Sequence, residues 1–276
     1  MRFPSPFLCF YLALFFYGYT QLAAVEGLSE TAAFEDALKN LKSSPHGFSL
    51  VNVGLTADDL ESFDSIDIEK EHFYHQFGDL ENTAEKITSF IRAIGRNDNS
   101  LAERIGTTLA EITHKIMDAS GRETGWVYLR AFVPTDAYDI PRWHMDGYYF
   151  EPDAITCMYK FALTVKGHPT LLYRLPKELR LFAWQHMRDR VFMHSFCQPE
   201  LVVTPEREEG VFFMGGKKDF AALHSEPPVH EKRLFFSLIP CSEQQLIELK
   251  PKVMILFPKG LKKNNLNNSA APNPRG

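Results

Sequence analysis

The sequence predicts an α+β chain dominated by β in its second half, and two patterns carry that expectation. Between residues 25 and 120, apolar side chains recur at helical spacing, as in Ile87, Phe90, Ile91 and Ile94 and again in Ile105, Leu109, Ile112 and Ile116. Beyond residue 122, short runs rich in β-branched and aromatic residues alternate with turn formers, at 127–133, 161–165, 170–174, 211–214 and 233–239. At 276 residues, 45% hydrophobic and 24% charged, the chain has material for one sizeable core.

The first segment reads as a targeting sequence. Arg2 precedes an apolar run at 7–17, no charge follows until Glu26, and Leu22, Ala23 and Ala24 offer a small-residue cleavage site. Residues 1–24 are therefore expected to be a signal peptide or an N-terminal anchor. The apolar run is shorter than the roughly 20 residues of a membrane span, which favours the former. Export follows as the expectation, to the secretory pathway, the periplasm or the medium.

Residues 25–122 are expected to form a largely helical support region. A strand at 47–53 interrupts it. Asn82 opens one helix and Gly95 closes it, while Ser100 and Glu103 make a capping box for a second. His72 and His75, three apart, would share one face if their stretch were helical, and a solvated face is the preferred reading over a metal pair.

Residues 123–258 form the expected β core. On the strand at 127–133, Val127, Leu129, Ala131 and Val133 share an apolar face suited to packing on the helices. Tyr128, Arg130 and Phe132 then face either an interior or solvent. Residues 175–205 read as an insertion with a helix at 177–190 after Pro176, carrying Phe182, Trp184, His186 and Met187. Ser242 and Gln245 form a later capping box, 253–257 reads as a strand, and the Asn-rich basic tail at 259–276 reads as disordered.

Chemistry is concentrated in His144 and Asp146, in His224 far downstream, and in Arg233 nine residues further on. Side chains at i and i+2 of an extended segment project to one face, so His144 and Asp146 can serve one site. A ferrous ion that must bind both a co-substrate and O2 takes two imidazoles and a carboxylate on one side and leaves the other positions open. The tripeptide alone is weak: among 10 His and 35 acidic residues in 276, about 1.3 His-x-acid instances are expected by composition. Two occur, the second being His224-x-Glu226. Context strengthens the first, because His144 lies at a strand end before the Gly147 turn and His224 leads through Pro227 and Pro228 into the strand that Arg233 opens. A tight connection between those two extended segments would place His224 and Arg233 side by side. Arg suits an anion clamp, since its planar fork donates two parallel hydrogen bonds to a carboxylate and keeps its charge.

In these residues and in the order of strands around them, the stretch 126–239, under half of the chain, resembles the Fe(II)/2-oxoglutarate-dependent oxygenase superfamily, particularly its prolyl-hydroxylase-like and phytanoyl-hydroxylase-like branches. The resemblance implies a double-stranded β-helix (a cupin-like jelly roll) braced by N-terminal helices. It implies Fe(II) held by His144, Asp146 and His224, with Arg233 on the far carboxylate of 2-oxoglutarate and ascorbate as an accessory reductant. It implies hydroxylation of a small molecule or peptide, with release of succinate and CO2. Two departures stand out. The hydroxyl that many members carry two residues after the Arg is replaced by Phe235, with Ser237 the nearest substitute on that face. The gap from Asp146 to His224 is also lengthened by the 175–205 insertion. Tyr128 is a further candidate for holding 2-oxoglutarate or substrate, as are Arg130, Tyr148 and Tyr173.

Alternatives remain open at this level. His230 competes with His224, and Glu226 could replace a His ligand. A cupin-like metalloenzyme without 2-oxoglutarate and an inert binding or effector module share the expected fold. Net charge of -5 and a pI near 6.1 argue against a nucleic-acid surface. Cys157, Cys197 and Cys241 lack CxxC spacing and are expected to be reduced. Hydrolase, nucleotide-binding and zinc-ribbon motifs are missing from the sequence.

Overall fold

The computed structural model describes residues 30–136, 139–147, 158–216 and 219–256. The expected leader, Tyr148, Cys157 and the tail lie outside the described residues. The helices, in chain order, are α1 (Glu30–Ser43), α2 (Ala57–Ser65), α3 (Thr83–Ile94), α4 (Asn99–Ser120), α5 (Arg180–His186), α6 (Arg190–Phe196) and α7 (Glu243–Leu256). The strands are β1 (Phe48–Asn52), β2 (His72–Gly78), β3 (Thr124–Phe132), β4 (Arg142–His144), β5 (Tyr159–Lys166), β6 (Leu172–Tyr173), β7 (Val202–Val203), β8 (Glu209–Met214), β9 (His224–Glu226) and β10 (Arg233–Cys241).

All strand pairs are antiparallel. A six-stranded sheet runs β1-β8-β5-β10-β3-β2 and a four-stranded sheet runs β4-β9-β6-β7. From β3 onward the chain alternates between the large sheet (β3, β5, β8, β10) and the small one (β4, β6 with β7, β9), which is the double winding of a jelly roll. Ala162, Val211 and Phe213 of the large sheet meet Leu172 and Ala222 between the layers. Among the described residues no ladder joins the two sheets, so the barrel is open at their edges.

Alternation assigns each face of the large sheet. Val127, Leu129, Ala131, Phe161, Leu163, Val165, Leu234, Phe236 and Leu238 form one buried cluster with Ile87, Ile91, Ile105, Leu109, Ile112 and Ile116 of α3 and α4. Residues one position out of phase with these face the interior. The two helices approach so closely at Gly106 that a Cβ there would meet Thr88 Oγ1 and come within 2.6 Å of the Ala84 carbonyl oxygen. Gly121, at φ 62, ends α4 in the left-handed region that favours glycine.

Several elements differ from the sequence reading. The stretch with His72 and His75 is strand β2, not a helix, so the two imidazoles do not share a helical face. α4 starts earlier than the Ser100 box implies: Asp98 caps it, accepting from the Leu101 amide. The helix expected at 177–190 is a 3₁₀ turn followed by α5, with a separate α6 capped by Asp189. The Ser242 and Gln245 box forms as expected, yet the helix it opens continues through Pro251 to Leu256, so 253–256 is helical and not a strand. Finally, β9 and β10 do not form a hairpin. They lie in different sheets, and Pro227 and Pro228 sit in the crossing between them.

Candidate metal centre

Packing of the small sheet aims the two histidines. Trp143 is buried with Tyr173, Leu175, Met193 and Leu223 beneath the insertion, so His144 and His224, each next to one of these anchors, turn to the opposite face. β4 and β9 pair with His144 opposite His224 and Arg142 opposite Glu226. The two imidazole centroids are 4.3 Å apart. Asp146 follows two residues after His144, its backbone carbonyl accepting from the Gly216 amide at 2.9 Å. Its Oδ1 lies 3.7 Å from the Nε2 of each histidine.

The tautomers follow from the partners. His144 Nδ1 is 3.1 Å from the Arg142 carbonyl oxygen and His224 Nδ1 is 3.1 Å from that of Ala222. A carbonyl only accepts, so each Nδ1 donates and each Nε2 keeps its lone pair toward Asp146. Burial lowers the pKa of both imidazoles, that of His224 to about 3, with His144 adding to the effect there. Burial works to raise the Asp146 pKa, but Lys160 and the two histidines outweigh it and hold the carboxyl well below its ordinary range. The site at neutral pH therefore consists of two neutral nitrogen donors and one carboxylate.

This donor set fits a divalent metal of the non-haem iron type. The three ligand atoms lie within 4.8 Å of one another, and ligands about 2 Å from one ion sit roughly 3 Å apart, so modest side-chain rotation closes the site. Among the described residues no other group of three metal-binding side chains comes together in this way.

A cavity of about 190 Å³ opens on these ligands, and Tyr128, Arg130, Arg142, Lys160, Thr170 and Arg233 contribute to its wall. Arg233 is 3% exposed and is held by two neutral acceptors, the His168 carbonyl at 2.8 Å from Nε and Thr170 Oγ1 at 3.0 Å from Nη2. Among the described residues no carboxylate forms an ion pair with it. Burial draws its pKa down to about 10, which leaves it charged at neutral pH. A buried guanidinium that lacks a counter-anion is a receptor for one.

Lys160 is a further cation in the cavity, its Nζ 3.3 Å from Asp146 Oδ2 and 5.4 and 5.7 Å from the ring centroids of Phe213 and Phe235. The sequence reading missed it, although a signal existed. With Phe161, Leu163 and Val165 committed to the helix side, Lys160 occupies the inward phase, where a charge is unusual. Thr170 was missed too, because its role as the prop of Arg233 depends on the connection before β6 meeting the start of β10.

The remaining candidates are placed as follows. Tyr128 is on the cavity wall, against Phe235 and the His75 ring. Ser237 is buried on the same strand face as Arg233, opposite Tyr128, but does not line the cavity. Tyr173 packs in the small-sheet core, its hydroxyl accepting from the Gln198 amide. His230 is exposed and outside the ligand cluster. Glu226 is not a ligand in this arrangement: Arg130 and Arg142 each hydrogen-bond one of its oxygens, at 3.1 and 2.8 Å.

No protein-family model matches the sequence, and no curated protein sequence matches it. Among solved structures the chain is similar to a Pseudomonas putida prolyl-4-hydroxylase, at 12% identity over 76% of this chain and 99% of that one, with a TM-score of 0.38. It is similar to a rice dioxygenase for auxin oxidation at 8% identity, over 77% and 80% of the two chains, TM-score 0.42. A Trichoplax adhaerens prolyl hydroxylase solved with a hypoxia-inducible-factor peptide fragment is similar at 11% identity, over 79% and 93%, TM-score 0.39.

Proposed function

We propose that the chain is an Fe(II)- and 2-oxoglutarate-dependent oxygenase that hydroxylates a small molecule or peptide. One observation carries the reading: two neutral imidazoles and a carboxylate oxygen converge in the same cavity as a buried arginine that has no carboxylate partner among the described residues. Iron held by His144, Asp146 and His224 would supply the activation of O2, one oxygen atom entering the succinate formed as 2-oxoglutarate loses CO2 and the other entering the hydroxylated substrate.

The chain's own residues account for the choice of co-substrate. The cations Arg130, Arg142, Lys160 and Arg233 outnumber the carboxylates Asp146 and Glu226 around the cavity by two, and a divalent ion raises the imbalance further, so the cavity calls for an anion with charge at both ends. Arg233 is fixed by Thr170 and the His168 carbonyl and offers its remaining donors to the distal carboxylate. Phe132 and Phe235, whose ring centroids lie 5.3 and 5.0 Å from the guanidinium carbon, screen that contact from water. A neighbouring cleft of about 610 Å³ shares Arg130, Phe132, Arg142 and Glu226 with this cavity and continues along Pro227 and Pro228. It is the natural entrance for the molecule to be oxidised. The apolar segment at 7–17 supports export of the enzyme.

A second reading, a metal-free binding module, draws on one observation, the Lys160 ammonium already neutralising Asp146. Purified protein incubated with Fe(II), 2-oxoglutarate and O2 separates the two. An oxygenase releases succinate even without its prime substrate, at a slow uncoupled rate that His224→Ala abolishes. Neither iron uptake nor succinate is expected of the binding module.

A further inference from the structure

We propose that Lys160 is a positioning residue that reserves one oxygen of Asp146, so that the carboxylate offers only its other oxygen to a metal ion and coordination positions stay open for co-substrate. The inference rests on the metal-centre reading above. The two carboxylate oxygens have separate partners. Oδ1 is equidistant, at 3.7 Å, from the free Nε2 atoms of His144 and His224, while Oδ2 is 3.3 Å from Lys160 Nζ. Lys160 is itself held in place. It is the register partner of Phe213 on β8, its ammonium lies near the Phe213 and Phe235 rings, and its side chain is 15% exposed.

Denticity decides function here. A carboxylate that binds through both oxygens takes two positions on the ion, and with two imidazoles only two positions of an octahedron remain. A dicarboxylate that chelates through a keto acid needs both of them, which leaves none for O2. A charge-assisted hydrogen bond on Oδ2 prevents that. The arrangement has an opposing effect on affinity, because an ammonium a few ångströms from a dication repels it. Lys160 therefore lowers the affinity for metal and keeps the coordination sphere open.

The test is made on Mn(II)-loaded protein without co-substrate, in which water-proton relaxation reports how many waters sit on the ion. Wild type is expected to carry three and Lys160→Met two, a fall of about one third in the inner-sphere contribution, with Mn(II) bound at least as tightly as in wild type. Lys160→Ala removes the same donor with less bulk and carries the same expectation should the Met variant fold poorly. Lys160→Arg, which keeps a cationic donor, is expected to preserve the wild-type count. A residue with a purely structural role would instead weaken Mn(II) binding and leave the water count unchanged. Equal relaxation in wild type, Lys160→Met and Lys160→Ala overturns this inference alone. Failure of wild type to take up Mn(II) overturns the metal-centre reading together with it.

Discussion

His144 and His224 are register partners across the β4–β9 ladder, and each donates its Nδ1 proton to the carbonyl two residues before it. The pair is thus built by backbone pairing and kept in one tautomer by the backbone itself. Replacing either histidine by alanine, or Asp146 by asparagine, removes a donor and is expected to weaken Mn(II) binding by more than the roughly 10- to 100-fold that disturbing a ligand's supporting hydrogen bond costs. Electron paramagnetic resonance titration of free Mn(II) reads this directly. Retention of wild-type affinity by His224→Ala would remove that residue from the site.

Arg233 should act on co-substrate and not on metal. Arg233→Lys keeps a charge but loses the planar fork and the bond to Thr170, so the KM for 2-oxoglutarate is expected to rise at least about tenfold with little change in Mn(II) affinity. Thr170→Val deletes one acceptor and should raise the same KM by a smaller factor, corresponding to about 1 kcal/mol. Parallel loss of metal binding in either variant would argue that the arginine is merely structural.

The four anchors of this site were legible from the sequence as two local relations: Asp146 lies two residues past His144, beyond the end of β4, and Arg233 lies nine residues past His224. What the spacing did not show is that β9 and β10 belong to different sheets, so that His224 and Arg233 meet across the cavity and not along a hairpin. Thr170 has no local signature, since its role arises only when segments distant in sequence meet, and Lys160 was signalled only by a charge in the inward phase of β5. His72 and His75 misled because an i, i+3 pair suggests a helix, whereas the intervening aromatics favour a strand that adds to the sheet edge. The β-branched and apolar run at 253–257 suggested a strand. The helix continues through the proline, with Leu249 and Val253 buried against Trp126 and Ile239.

His75 provides a pH test of stability independent of the metal. Trp126 Nε1 donates to His75 Nδ1 at 3.2 Å, and burial among Trp126, Tyr128 and Phe77 pulls the imidazole pKa from 6.5 down to about 4. The unfolded imidazole takes up a proton near pH 6.5 and the folded one only near pH 4, so acid favours the unfolded chain across that window. Stability from this group is complete above pH 6.5 and falls by about 3 kcal/mol on descending to pH 4. Urea denaturation of wild type and His75→Gln at both pH values should show their difference shrinking by that amount or reversing. A constant difference would contradict it.

Gly106 marks the tightest contact beneath the large sheet. In Gly106→Ala the new methyl meets Thr88 Oγ1 and the Ala84 carbonyl, and α3 and α4 must separate, at a cost of about 1–3 kcal/mol. Thermal denaturation should show the loss, with Mn(II) affinity unchanged, because the helices lie on the face of the sheet opposite the cavity. A stabilised variant would mean that the two helices separate freely.

The most direct test of the central claim is an anaerobic titration of the metal-free protein with Fe(II) in the presence of 2-oxoglutarate, followed by visible absorption. A weak charge-transfer band from the keto acid chelate is expected to saturate at one iron per chain, to be absent in His224→Ala, and to require more 2-oxoglutarate in Arg233→Lys. Iron uptake without the band would leave a metal site that does not use 2-oxoglutarate, and a band that persists in His224→Ala would contradict the convergence of His144, Asp146 and His224 on one ion.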